Sequence, residues 1–188
     1  NARTAPGDLI FRDINGDNII NAEDRTYLGS ALPSLYYGLN FTASYKNFDF
    51  TLFASGAAGY LIHGRNYREL MHTQDYINYH EDALNRWTPT NTNTNIPRLV
   101  AGDPNDNMRD SNREGWLQDG THLRINTLSL GYKLPENLIK GITSARVYVT
   151  AQNVYSFQQY KGFNPDFTAS ILSPGFDFGS FPKPRTLM

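Results

Sequence analysis

The chain contains no cysteine. Disulfides and thiolate metal sites are therefore excluded, and an oxidising compartment is permitted without being required. No run of about 18 consecutive apolar residues occurs, so no transmembrane helix is encoded. Membrane-spanning strands stay open, because they are only about 10 residues long and half polar. Charge of one sign is lacking too. A net charge of −1 and a pI near 6.5 argue against a general nucleic-acid binder, which shows a basic patch. Asn1 to Pro6 is polar, without the charged start and apolar run of a signal peptide. Both ends read as those of a piece cut from something longer. The C-terminus stops at Pro182-Lys183-Pro184-Arg185-Thr186-Leu187-Met188, which looks like a strand just beginning.

Catalytic fingerprints are missing as well. There is no GxSxG, P-loop or dinucleotide-binding glycine pattern. Gly56-Ala57-Ala58-Gly59 lacks the following Lys and helix, and reads as a flexible strand end. His63, His72, His80 and His122 show neither HxH nor HxxxH spacing, so exposed loop positions account for them better than zinc. Glu69, Asp75, Glu81 and Asp82 fit a solvated face better than an acid–base pair. The sequence predicts no enzyme.

Aromatic residues are abundant, with 12 Tyr and 11 Phe in 188 residues. They organise the stretch from Leu35 to Gly56, LYYGLNFTASYKNFDFTLFASG. Strand side chains alternate between two faces. Tyr37, Leu39, Phe41, Ala43 and Tyr45 share one face; Gly38, Asn40, Thr42 and Ser44 share the other. After a tight turn at Lys46-Asn47, Phe48, Phe50, Leu52 and Ala54 oppose Asp49, Thr51 and Ser55, with Phe53 out of pattern. A soluble sheet on a core shows this alternation, and so does a barrel wall between lipid and a wet lumen.

Alternation resumes from Thr121 to Leu134 and from Ser144 to Tyr155. Leu123 and Ile125 are out of phase with Leu128, Leu130, Tyr132 and Leu134, and a bulge near Asn126 repairs this. In the next strand Val147, Val149 and Ala151 oppose Arg146, Tyr148, Thr150 and Gln152. Connections alternate in length. They are short at Lys46-Asn47 and at Pro135 to Thr143, and long from Ala57 to Gly115 and from Ser156 to Phe181. Outer-membrane barrels place short turns on the periplasmic side and long loops outside. Within the first long loop, Tyr76, Tyr79, Ala83, Leu84 and Trp87 predict a helix inside Tyr67 to Trp87. Trp87, Trp116, Tyr76 and Tyr79 are candidate contacts for a substrate or partner; the alternative is that they stabilise the loop.

The sharpest local motif is DINGDNIINAED. Asp13, Asn15 and Asp17 take positions 1, 3 and 5 of a calcium loop, Ile19 offers a carbonyl at 7, Asn21 stands at 9 and Asp24 closes at 12. Position 6 is Asn18 where glycine is usual, and position 12 is Asp rather than the bidentate Glu. An Asx-rich turn, held by side-chain-to-backbone hydrogen bonds, explains the same residues. Calcium stands as a candidate cofactor and none is required.

Taken in order, these segments resemble the C-terminal barrel region of the SusC/RagA family of TonB-dependent outer-membrane transporters. The series is Gly7-Asp8, Asp13-Ile14-Asn15-Gly16-Asp17, Asp24-Arg25, Gly29, Pro33, Tyr37-Gly38 and Tyr45-Lys46-Asn47-Phe48-Asp49. Arg86-Trp87-Thr88-Pro89, Asn95-Ile96-Pro97-Arg98, Asp119-Gly120-Thr121-His122-Leu123-Arg124 and Leu130-Gly131-Tyr132 follow. Arg146-Val147-Tyr148-Val149, Gln152-Asn153-Val154, Tyr160 to Asp166 and Pro182 to Thr186 complete it. The resemblance implies an all-β fold: the C-terminal strands of a large antiparallel transmembrane barrel, with long extracellular loops. Residues 1–188 form one portion of it, with the plug and most strands outside this sequence. It implies a Bacteroidetes-like Gram-negative outer membrane and import of oligosaccharides or peptides. The implied partners are a SusD-like surface lipoprotein, TonB through an N-terminal part, the rest of the barrel and lipid. The competing reading is a soluble β-module that binds carbohydrate in a calcium-dependent way.

Overall fold

A computed structural model describes residues 4–72, 78–108, 116–136, 142–167 and 172–188. In chain order the elements are β1 (Leu35–Tyr45), β2 (Phe48–Ala58), β3 (Leu61–Gly64), α1 (Arg65–Met71), β4 (Leu117–Asp119), β5 (His122–Lys133), β6 (Arg146–Gln158), β7 (Phe176–Asp177) and β8 (Thr186–Leu187). Two short 3-10 turns span Ala22–Asp24 and Glu81–Asn85. The chain divides into two compact units. One holds residues 1–29, 63–117 and 176–179; the other holds residues 30–62, 118–175 and 180–188.

The second unit is a five-stranded antiparallel sheet in the order β1-β2-β5-β6-β8. Its four long strands have 11, 11, 12 and 13 residues, enough for about 9–11 tilted residues across a bilayer. The hairpin pairs Tyr45 with Phe48 and runs in unbroken register to Leu35 opposite Ala58. Lys46 supplies the reversal from the left-handed region, with φ 53°.

The register sorts every side chain of the sheet. One face carries Leu39, Phe41, Phe50, Leu52, Leu128, Leu130, Val147, Val149, Ala151 and Leu187 as cross-strand neighbours. The bulge expected near Asn126 is present. Phe53 pairs with Thr127 and Ala54 with Ile125, so Asn126 is the extra residue. A second irregularity places Ile125 opposite Tyr155 and Thr127 opposite Gln152. Asn153 adopts φ 51° there, and its Nδ2 donates to the Pro184 carbonyl at 2.9 Å. The bulge at Asn126 returns Leu123 and Ile125 to the apolar face, and the irregularity at Asn153 sets them opposite Phe157 and Tyr155.

The opposite face is polar and internally bonded. Arg146 on β6 reaches across β5 to Asp49 on β2, with Nε donating to Oδ1 at 2.9 Å. It crosses directly over Gly131, where a Cβ would come within 2.4 Å of the guanidinium. Ser129 and Thr150 hydroxyls meet at 2.9 Å, and Asn126 Nδ2 donates to Ser55 Oγ at 2.6 Å. Phe53 also faces this side, paired with Asn40 and Thr127.

Exposure shows which face is the outside. Leu39, Phe41, Leu130 and Val149 are 50–55 % exposed. A soluble sheet covers that face, and among the described residues no second sheet lies on this one. The covered side is polar: His122 and Arg124 are buried. Aromatic rings flank the apolar band at both ends. Phe48 and Tyr132 pair at 4.7 Å near the turn, and Tyr155 and Phe157 pair at 4.7 Å at the far end. From Tyr37 to Tyr45 the strand runs about 27 Å at ~3.4 Å per residue. At a tilt near 40° this is roughly 21 Å of depth, close to the ~25 Å apolar band of an outer-membrane barrel.

The first unit carries little regular structure. The helix expected within Tyr67 to Trp87 is replaced by α1 and the 3-10 turn Glu81–Asn85. His72 and His80 both take extended backbone, with ψ of 132° and 149°. His80 then caps the second turn by accepting from Asp82 N–H. Tertiary packing overrides the helical spacing here: Met71 and Ala83 enter one small core. β3 and β7 pair in parallel through His63–Phe176 and Gly64–Asp177. β6 extends three residues past its expected end at Tyr155, so the second long connection starts later.

The two faces predict opposite responses to charge. In the complete barrel, Leu128→Arg at mid-band should cost about 2–4 kcal/mol and reduce the folded outer-membrane fraction, whereas Ser129→Arg should be tolerated. Heat-modifiable migration of the extracted protein measures both. Equal tolerance would contradict the outward apolar face.

Candidate functional site

The loop unit is where recognition would be carried, since binding residues concentrate on loops held by a rigid scaffold. Its interior is a small core of Met71, Ala83, Met108 and Trp116, flanked by Tyr67, Ile96 and Leu99. Trp116 is only 3 % exposed, so its ring packs this interior and is not displayed. Tyr67 lies 6.0 Å from the Trp116 ring and 4.9 Å from His80. Its hydroxyl donates to Asp82 Oδ2 at 2.7 Å. Burial, and then that carboxylate, push the Tyr67 phenol well above its ordinary range.

Trp87 is half-buried, and its backbone N–H donates to the Ile96 carbonyl at 2.9 Å. Gly7 sits against its ring with φ +89°, and a Cβ there would fall 2.3 Å from the indole. Tyr79 is 49 % exposed. It lines a shallow open groove with Leu84, Arg86 and Leu99. Tyr76 and Asp75 lie outside the described residues. Among the described aromatic candidates Trp87, Trp116 and Tyr79, it is Tyr79 that stands at an open surface.

Sequence reasoning missed the polar clasp that holds this unit. Asp8 accepts from Arg98 Nε at 2.6 Å and Nη2 at 2.9 Å. It also accepts from Asn107 Nδ2 and the Ala5 N–H, both at 2.8 Å. Asn107 Oδ1 accepts from Leu9 N–H at 2.9 Å, while Asn105 Nδ2 donates to the Leu9 carbonyl at 3.1 Å. Asp103 in turn accepts from the backbone N–H of Asn107 and Met108 at 2.9 and 2.8 Å. Residues 5–9, which turn where the Asp8 N–H meets the Ala5 carbonyl at 3.1 Å, are thereby pinned by side chains in place of a sheet partner. The clasp's members stand in the sequence as Gly7-Asp8, Asn95-Ile96-Pro97-Arg98 and Asp103-Pro104-Asn105-Asp106-Asn107. Their pairing across about ninety positions leaves no local trace.

The Asp13–Asp24 loop closes on itself. Asp13 accepts from Gly16 and Asn18 N–H at 2.6 and 2.7 Å. Asp17 Oδ1 accepts from Ile19 N–H at 2.8 Å, and Asn15 Nδ2 donates to Asp17 Oδ2 at 3.2 Å. Asp24 bridges the ends, accepting from Ile14 and Asn21 N–H, both at 2.8 Å. Asn21 Oδ1 accepts from Glu23 N–H at 2.6 Å. Asn18 takes φ 65°, the conformation that position 6 demands. The backbone bonds from Asn21 and Ile14, in that order, hold the Asp24 carboxyl below its usual range, and Asp13 lies beside it. Among the described residues, no three His, Cys, Asp or Glu side chains are grouped as metal ligands. The loop thus joins its first and last positions while using its carboxylates as turn acceptors.

A sheet with a bare apolar face, aromatic rings at both rims and a bonded polar face defines a segment of an outer-membrane β-barrel. Comparison with known proteins gives the family. The chain is 34 % identical over 190 residues to TonB-dependent receptor P3 of Formosa agariphila, covering 96 % of this chain and 18 % of that protein. TonB-dependent receptor P26 of the same organism is 30 % identical over 193 residues, covering 96 % and 19 %. TonB-dependent receptor SusC of Bacteroides thetaiotaomicron is 25 % identical over 195 residues, covering 97 % and 17 %. Among solved structures, the RagAB peptide importer in its closed-closed state superposes with a TM-score of 0.72 at 24 % identity, over 96 % of this chain and 19 % of that chain. A further structure of the RagAB peptide transporter gives 0.67 at 23 % identity, over 84 % and 16 %. No protein-family model matches the chain. Over nearly its whole length the chain matches TonB-dependent receptors, SusC among them, which are β-barrel proteins of the Bacteroidetes outer membrane, and its fold is that of the RagAB barrel. It spans about a fifth of the length of the curated relatives it matches.

The clasp has a defined pH response. The Arg98 hydrogen bond is the largest influence on Asp8, whose carboxyl falls from the ordinary 3.8 to about 2. A depressed carboxyl stabilises above its unfolded value and loses that stabilisation as pH falls through the folded one. About 2 kcal/mol should therefore be present at neutral pH and vanish between roughly pH 4 and 2. Arg98→Ala strands a buried carboxylate and should cost about 3 kcal/mol locally. Hydrogen exchange of residues 5–9 and 98–108 in the full-length protein reads both effects; unchanged protection in the variant would remove the clasp from the account.

Proposed function

We propose that the full-length protein imports oligosaccharides or peptides across the outer membrane, driven through TonB, with a SusD-like lipoprotein over the barrel mouth. The chain described here supplies barrel wall and extracellular loops, and no catalysis. The observation that carries this reading is the bare apolar sheet face, rimmed with aromatics, in a chain 34 % identical to a TonB-dependent receptor. Long connections leave the sheet at the end of β2 and β6, away from the Lys46-Asn47 turn. That end is then extracellular, and the loops that leave there are the ones available to ligand and lipoprotein.

Partitioning separates this from the soluble carbohydrate-binding module. The protein should be recovered in the membrane fraction and need detergent for extraction. Residues 1–188 expressed alone, with the unpaired edge of β1 exposed, should not yield a soluble, cooperatively unfolding monomer. Such a monomer would refute the barrel reading. Deleting the gene should abolish uptake of one oligosaccharide or peptide class, and affinity purification should bring down a surface lipoprotein. Uptake that persists, or purification without a lipoprotein, would remove those parts of the proposal.

Calcium at Asp13, Asn15, Asp17, the Ile19 carbonyl, Asn21 and Asp24 belongs to the same proposal. What supports it is the loop closure that brings Asp13 beside Asp24. Adding calcium after chelation should slow hydrogen exchange across residues 13–24, and Asp24→Ala should abolish the response. Identical exchange with chelator and with calcium would leave an Asx-rich turn.

A further inference from the structure

Arg124 is a buried cation with too little negative charge around it. It stands on the polar face of β5 and is 5 % exposed. Its Nη2 donates to Asn164 Oδ1 at 2.6 Å, a neutral acceptor. Its Nη1 is buried and meets no hydrogen-bond acceptor among the described residues. Asp166 Oδ2 lies 3.6 Å from Nη1, within ion-pair range and too far for a hydrogen bond. That same oxygen is engaged elsewhere, accepting from Lys183 Nζ at 2.6 Å. A guanidinium offers a planar fork of donors matched to both oxygens of one carboxylate. Here the fork receives one amide oxygen and a distant edge of a carboxylate drawn toward a lysine.

The chain around this cation is otherwise well fixed. Tyr160 is buried with Ala57, Tyr60 and Ile62. The Tyr60 hydroxyl donates to the Pro165 carbonyl at 3.0 Å and lies 3.2 Å from His122 Nδ1. Burial pushes the Tyr60 phenol up to about 12. Asn164 Nδ2 donates to the Asp166 carbonyl at 2.9 Å. Residues 160–167 thus form a strap seated on the polar face, and the weak joint in it is the approach of Asp166 to Arg124. Buried polar groups in folded proteins are nearly always satisfied, so an unmet donor on a buried cation calls for a partner.

We infer that Arg124 is a carboxylate-binding residue of the barrel interior, with Asp166 as its internal stand-in. A ligand carboxylate takes the forked position on the guanidinium, and Asp166 moves fully onto Lys183. The strap loosens as the ligand is received. This rests on the import reading, because an imported oligomer is what would reach the polar face. A peptide C-terminus and a uronic acid offer the same carboxylate.

The test uses the full-length protein in detergent, with hydrogen exchange of residues 160–167 followed in sodium acetate and in sodium chloride at equal ionic strength. Acetate should speed exchange about tenfold over chloride in the wild type. In Arg124→Gln the two salts should give equal rates. In Asp166→Asn, which retains the strap's backbone contacts, acetate should act at about tenfold lower concentration, since the internal competitor is weakened. Equal rates in the two salts for the wild type would overturn the inference, and so would an acetate effect that survives in Arg124→Gln. Trialanine against trialanine amide, and a triuronate against a neutral trisaccharide, identify the source: the pair whose acidic member loosens the strap supplies the ligand. Loosening by neither acidic member would overturn the link to imported ligand. The acetate result stands apart from uptake, so failure of the import reading and failure of this site give different patterns.

Discussion

A backbone placed in lipid has no water to bond, so every N–H and C=O must find a partner within the protein. Continuous strand pairing is the condition on which the rest of this chain depends. β2 and β5 meet it on both edges, β1 is paired along one edge, and β6 meets β8 over two residues of its second edge; the alternation of side chains follows from that pairing. Lipid then accepts one face and a wet interior the other. The bulges at Asn126 and Asn153 serve this constraint. Without the extra residue at Asn126, Leu123 and Ile125 would turn inward; the irregularity at Asn153 keeps them opposite Phe157 and Tyr155. The clasp of Asp49 and Arg146 over Gly131 ties three strands together on the side where charge is tolerated.

The loop unit solves a different problem. It has little ladder to hold it and only a small apolar core. Asparagine and aspartate side chains do there what strands do in the sheet, accepting and donating to backbone that would otherwise stay unpaired. Asp8, Asp103, Asn105 and Asn107 make one such framework, and Asp13, Asp17 and Asp24 make another. A receptor loop must hold a defined surface while offering side chains to a ligand, and a polar framework of this kind gives shape without a large core.

The strands were legible because period-2 alternation of Phe, Leu and Val against Thr, Ser and Asn is a local signal. The turn at Lys46-Asn47 and the bulge near Asn126 were legible for the same reason, as interruptions in that period. The fate of Tyr67 to Trp87 was not. Its helical spacing was real, but His72 and His80 take extended backbone, and packing of Met71, Ala83 and Trp116 decided the path. The Asp8–Arg98 clasp joins residues that no pattern links. Arg124 read simply as one more polar residue in an alternating strand; its burial under residues 160–167 is a tertiary fact. The Asp13–Asp24 spacing was legible as a closed loop because Asx side chains bond nearby backbone, a local signal.

The central claim is that the apolar face meets lipid. Spin labels introduced singly along β1, β5 and β6 of the full-length protein in bilayers test it most directly, by collision with oxygen and with a water-soluble nickel chelate. High oxygen accessibility at positions 39, 41, 128, 130 and 149, alternating with low values at 40, 42, 129 and 150, is the predicted result. The reverse phase, or chelate access at the first set, would contradict the account.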